Sequence, residues 1–249
     1  MTNLGAVQET AAATSRAARE PVLVGCSHGT DSTTGRAAIR TILAGVRAAR
    51  PDLDVREAFV DVQQPAVAAV VEQAVSESGG AVVVPLLLSV GFHVRVDIAA
   101  AVAGRTATAA GPLGPDVRLV AMLVDRLHDA GAGPQDAVVL AAAGSTDPRA
   151  AAAIEAVSAG LRAAWPGGPI TVAAGAGGLL RVLDAVAAAR AAGAERVVVA
   201  AYLLAPGYFH DRLLAAGADL VTAPLAPDAR LVAIVLDRFA AVTFGSAAP

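Results

Sequence analysis

PLGPDVRLVAMLVDRL, residues 112–127, and PLAPDARLVAIVLDRF, residues 224–239, are identical at ten of sixteen positions. Residue frequencies alone would give roughly one match in sixteen, so the chain carries an internal duplication. The pairing extends upstream: AVVVPLLL (81–88) matches RVVVAAYL (196–203), and VLVGCSHGTD (22–31) matches VVLAAAGSTD (138–147). Within the first copy, apolar runs at 22–25, 55–60 and 82–88 alternate with helix-like segments at 35–50, 66–78 and 94–102. A weaker strand near 106–109 and a helix over about 116–130 complete it. Continuous Val and Leu runs joined by helical crossovers predict a parallel sheet buried on both faces. The fold class is therefore α/β, with two similar tandem domains, each a small parallel sheet with helices on both faces. Residues 1–20 read as a flexible tail, 21–130 as the first domain and 136–245 as the second, with AGAGPQ (130–135) as a glycine-rich linker.

Composition narrows the function classes. At 249 residues, 55% hydrophobic and 16% charged, the chain can bury a large core or two smaller ones. A net charge of −3 lacks the basic excess of nucleic-acid binders. Cys26 is the single cysteine, which excludes an internal disulfide, a thiolate zinc cluster or a thiol redox pair and fits a reducing cytoplasm. The longest apolar runs are less than half of the ~20 residues of a membrane span, and the first twenty residues lack the apolar core of a secretory signal. A soluble, cytoplasmic protein without a membrane partner is expected.

Ligands of open parallel sheets bind beyond the carboxyl ends of the strands. In the first copy those ends carry His28, Asp61 within AFVDVQQP, and His93 within LLLSVGFHVRVDI. Two imidazoles and a carboxylate at one sheet edge suit iron(II), cobalt(II), nickel(II) or zinc(II), and so sparse a set leaves coordination positions open for chemistry or transfer. At neutral pH an imidazole can also accept a substrate's protons. In the second copy His28 falls opposite Ala143, and Asp61 opposite the bland stretch 172–178. The fold survives there without these groups. His210, in GYFHDR, lies within a residue of the place of His93.

These residues resemble a known family. The histidine-glycine-hydroxyl motif after the first strand, the acidic residue ending the second, the VPLLLS…GFHVRVDI segment and the later PLGPD look like the sirohydrochlorin chelatases, class II tetrapyrrole chelatases that insert iron or cobalt into a tetrapyrrole ring. The resemblance covers nearly the whole chain and corresponds to the long form with two fused halves and the active site in the first. It implies that His28 and His93 bind the metal and assist loss of the pyrrole protons, with Asp61, where the family commonly has glutamate, as third ligand or proton carrier. Ser27, Gly29, Phe92, Arg95 and His210 are then the expected substrate contacts. No cofactor is implied beyond the divalent metal substrate, Fe2+, Co2+ or Ni2+; the partners are that metal and the tetrapyrrole, and the duplicated chain is expected to be a monomer.

Structural readings stand beside these. Asp61 can be a helix N-cap, Arg95 and Asp97 a solvated pair, His128 a cation at a helix C-terminus, and His210 a remnant of duplication. Gly29, Gly91 and Gly207 read as backbone requirements of tight turns, and Cys26 as a small core residue. Two other functions compete: phosphoryl transfer, since a histidine-glycine pair after a first strand also resembles histidine phosphatases, and a carrier of metal or tetrapyrrole without reaction. The phosphatases place arginine before that histidine, where this chain has Ser27.

Overall fold

The computed structural model describes residues 20–89 and 91–243, except the side chains of Phe92 and His93. The predicted tail therefore lies outside the described residues up to Glu20. The first half runs β1 (Val22–Ser27), α1 (Thr33–Ala49), β2 (Val55–Phe59), α2 (Val67–Ser78), β3 (Ala81–Pro85), α3 (Phe92–Val102), β4 (Ala107–Ala109) and α4 (Val117–Asp129). The second repeats it: β5 (Ala137–Ala142), α5 (Pro148–Ala164), β6 (Ile170–Ala174), α6 (Val182–Ala191), β7 (Val197–Tyr202), α7 (Tyr208–Leu214), β8 (Leu220–Val221) and α8 (Ala229–Thr243). Two parallel sheets result, ordered β2-β1-β3-β4 and β6-β5-β7-β8. β3 is shorter than the expected 82–88 run. Pro85 has no N–H for the ladder, and the chain leaves the sheet there.

Each sheet is covered on both faces. Val22, Val24 and Cys26 pack against Val67, Val71 and Ala74 of α2 and Ile98 of α3. The opposite pleat places Leu23 and Val84 in a core with α1 and α4 that continues through Leu140, Ile154 and Leu161 to Leu231 and Ile234 of α8. The two halves thus share one interior, with α4 against α5 and α1 against α8. No described helix is long and apolar enough to cross a membrane.

The repeated tails have a physical role at this junction. Arg126 of α4 donates Nε–H to the Pro224 carbonyl at 3.2 Å and Nη2–H to the carbonyls of Leu225 at 3.1 Å and Pro227 at 3.2 Å. Arg238 of α8 returns the arrangement, donating to Pro112 at 2.8 Å and Leu113 at 3.0 Å. Asp116 and Asp228 each bind the arginine two residues on, Arg118 and Arg230, and these reach Asp237 and Asp125 of the opposite helix. Each copy's PL-x-PD-x-R loop is held by the other copy's Asp-Arg pair. Arg126→Ala leaves three carbonyls without their partner and is expected to cost about 2 kcal/mol, a fall of about 4–8 °C in the thermal midpoint. Hydrogen bonds from Arg118 and Arg230 hold the carboxyls of Asp116 and Asp228 below the usual carboxylate range. Their contribution is complete above the unfolded-state value of about 3.9 and is lost as pH falls below it through the folded-state values.

Candidate functional site

Strand order in each sheet changes direction beside its first strand, so the first sheet's switch point lies between β1 and β3. The parallel register fixes what stands there. Ser27 pairs with Phe59 and Ala142 with Ala174, which sets His28 opposite Ala143, Gly29 opposite Gly144, and the helix caps Ser32 and Asp147 opposite each other, one residue off the ungapped match of 22–31 with 138–147. By the same count Asp61, Val62 and Gln63 correspond to Ala176, Gly177 and Gly178. Cys26 pairs with Pro85 and Ala141 with Ala201, so His93 corresponds to Phe209, and His210 to Val94.

His28 and Asp61 are brought together by the ladder running past the ends of its strands. The Val60 N–H donates to Ser27 O and the Asp61 N–H to His28 O, both at 3.0 Å. Gly29 follows with φ +96°, and a Cβ there would stand 2.3 Å from the Asp61 carbonyl oxygen. Glycine is required on both counts. Asp61 itself is exposed, and its Oδ1 accepts the Val62 N–H at 2.7 Å. It does not cap α2, which begins six residues later behind Ala66 without a side-chain cap. The Gln63 N–H then returns to Asp61 O at 2.6 Å, which closes a three-residue turn with Val62 at φ +59°. Gln63 Oε1 accepts the Thr30 N–H at 2.9 Å.

These loops border a cavity of about 710 Å³ between the two halves. From the first half come Ser27, His28, Gly29, Val62, Gln63, Leu86–Leu88, Gly91 and Val94; from the second come Ala143–Ser145, Tyr202–Gly207, Tyr208 and Phe209. His28 is exposed, and its ring makes no hydrogen bond to any described residue. His93 lies in the first turn of α3, between the lining residues Gly91 and Val94, and its side chain, like that of Phe92, lies outside the described residues. Among the described residues no group of three or more His, Cys, Asp or Glu side chains could hold a metal ion.

Two of the expected substrate contacts, Ser27 and Gly29, therefore border the cavity beside His28, while Arg95 and His210 are not among its described lining. Arg95 is half-buried and is not among the described lining residues; Arg36 is the one lysine or arginine among them, with its Nε–H on Thr30 O at 2.7 Å and Nη2 at 3.5 Å from Asp31. His210 places Nε2 at 3.2 Å from Thr222 O, just past β8, and is not among the described lining residues. The wall it was expected to supply comes from Tyr208 and Phe209, packed edge to face at 5.4 Å, with Arg212 stacked 5.6 Å over the Tyr208 ring and donating to its hydroxyl at 2.8 Å. Tyr208 and Phe209 stand at the register positions of Phe92 and His93, and the aromatic pair at the start of α7 is the sequence signal for this wall.

His128 ends α4 with its ring 5.0 Å from that of Trp165. Cys26 is buried, and desolvation pushes its thiol up to about 12. Gly207 has positive φ, whereas Gly91, at φ −71°, has an ordinary backbone. Its lack of a side chain keeps it clear of Ser145 Oγ, which a Cβ would approach to 3.2 Å.

Compared with known proteins, the chain matches the model of the CbiX family twice, over residues 22–130 and 137–242. No curated protein matches it in sequence. Among solved structures, SirB from Bacillus subtilis with Fe3+ superposes with a TM-score of 0.77 at 17% identity, covering 91% of this chain and 97% of that one. The sirohydrochlorin chelatase SirB from Bacillus subtilis subspecies spizizenii, in complex with cobalt, gives 0.71 at 18% identity over 91% and 96%. CbiX, the terminal enzyme for biosynthesis of siroheme in denitrifying bacteria, gives 0.59 at 19% identity over 92% and 100%.

Proposed function

Because the chain belongs to the CbiX family, we propose that it is a metal chelatase that inserts a divalent ion, Fe2+ or Co2+, into sirohydrochlorin on the way to sirohaem or cobalamin. The observation that carries the reading is an asymmetry between two halves of one fold. At the switch point of the first sheet the cavity receives His28 from a loop hydrogen-bonded to that of Asp61, and at the equivalent place of the second sheet stand Ala143 and Ala176. Fold alone does not require the histidine.

The macrocycle would occupy the cavity between the halves, with the leucine-rich β3–α3 loop on one side and Tyr208 and Phe209 on the other, where aromatic faces suit a planar conjugated ring. His28, with His93 from the first turn of α3 and Asp61, would present the metal. As two pyrrole nitrogens replace protein ligands, two N–H protons leave, and the imidazoles of His28 and His93, once freed of metal, can take one each and pass them to solvent. Nickel(II) suits the same ligands, and intrinsic affinity does not choose among the three. The reading includes action as a monomer in the cytoplasm, with the active site in the first half.

The test mixes purified protein with sirohydrochlorin and each of Fe2+, Co2+ and Ni2+ anaerobically and follows the visible spectrum. Many equivalents of metallated product per protein are expected with at least one metal. A single equivalent would make the protein a carrier, and release of phosphate from phosphomonoesters would favour the phosphatase alternative instead.

A further inference from the structure

Val62 is the one non-glycine residue with positive φ among those described, at +59°. A β-branched side chain in that region is strained by about 1–3 kcal/mol, which persists only where the surroundings hold it. At the equivalent position the second half has Gly177, at φ +86°, where glycine carries no such strain. Both halves bring the two loops into the same close contact: a Cβ on Gly29 would meet Asp61 O at 2.3 Å, and one on Gly144 would meet Ala176 O at 1.9 Å. Loop closure as such therefore needs neither Val62 nor a side chain after it.

What the first half adds is Gln63. The strained turn delivers its carbonyl oxygen to the Thr30 N–H, two residues beyond His28, at 2.9 Å. Gly178 stands at this position in the other half and has no side chain to do so. The backbone of His28 is thereby fixed from both sides, through its own carbonyl by Asp61 N–H and through Thr30 by Gln63. The clasp occurs in the half that carries the histidine and is lost with it in the half that does not.

We propose that Gln63 is a positioning residue: by holding Thr30 it fixes the loop that presents His28 to the cavity, and it governs the rate of metal transfer more than the affinity for the macrocycle. This rests on the chelatase reading above. Groups that orient a metal ligand without touching the metal commonly change affinity or activity by about 10–100-fold when removed, and small misplacements of a reacting group have effects of that order.

The experiment compares wild type, Gln63→Ala, and Gln63→Glu, which keeps an acceptor oxygen at the same reach. Gln63→Ala is expected to lower kcat with sirohydrochlorin by about 10–100-fold with KM within about twofold, and Gln63→Glu to recover most of that loss. Amide hydrogen exchange at Thr30 is expected to accelerate in Gln63→Ala and stay slow in Gln63→Glu. A wild-type kcat in Gln63→Ala, or a glutamate variant as impaired as the alanine one, overturns the proposal. Should the wild-type protein itself form no product, the chelatase reading fails separately. The clasp is then judged by Thr30 exchange and by Co2+ titration of the protein alone, where unchanged values in Gln63→Ala would overturn it. If Gln63→Ala does not fold, Gln63→Met, of similar length without an acceptor, replaces it.

Discussion

His28→Ala is expected to lower sirohydrochlorin metallation by about 100- to 10,000-fold, the range over which positioned acid–base and ligand groups act, while the thermal midpoint moves by no more than about 2 °C. The contrast follows from its surroundings. The ring is exposed and bonds to no described residue, so its removal falls among surface substitutions worth within about 0.5 kcal/mol. The hydrogen bonds that shape the loop use the His28 carbonyl, which alanine keeps. The reciprocal variant, Ala143→His, is expected to add no turnover, because its surroundings have Ala176 for Asp61 and Gly178 for Gln63. Turnover at the wild-type rate in His28→Ala, measured by the appearance of the metallated product, would remove His28 from the mechanism.

Much of this was legible in the sequence because it rests on patterns that are local or repeated. Val-rich runs and helical crossovers gave the parallel sheets, and the tail repeat gave the two copies. That repeat is strongest where each copy must fit the other: Arg126 and Arg238 grip the opposite PL-x-PD-x-R loops, so a change in one copy would mismatch its partner surface. The cavity loops face a space and are free of that mutual constraint, and there the copies diverge. Placing His28 and Asp61 at neighbouring strand ends was sufficient to bring their backbones together. What the sequence did not disclose is direction. Whether an imidazole on a short helix turns to the cavity or to a carbonyl depends on packing across the sheet, and His210 turns to Thr222. The strained turn at Val62 was equally hidden, since valine gives no sign of a left-handed backbone. The contribution of Gln63 depends on that turn and was invisible with it.

The same backbone insult placed in each half separates fold from function. Gly29→Ala and Gly144→Ala both put a Cβ at positive φ, +96° and +89°, against a carbonyl oxygen of the neighbouring loop, Asp61 at 2.3 Å and Ala176 at 1.9 Å. A left-handed conformation costs an L-residue about 1–2 kcal/mol and the overpacking about 1–3 more, so each variant is expected to lose about 3 kcal/mol and about 6–12 °C in thermal midpoint. Gly79→Ala, also at positive φ but with nothing within 4 Å, isolates the backbone share and is expected to lose about 1–2 kcal/mol. Turnover, measured well below all three midpoints, should divide them differently. In Gly29→Ala the loop must withdraw from Asp61, which shifts His28 directly and loosens Thr30 from Gln63, so kcat is expected to fall by about 100-fold. In Gly144→Ala the withdrawal moves Ala143 and Ser145, which line the opposite wall of the cavity, so the expected effect is a severalfold rise in KM with kcat nearly unchanged. An equal fall in kcat for both variants would contradict an active site confined to the first half, because it would mean that the second loop takes part in the transfer despite having lost its histidine.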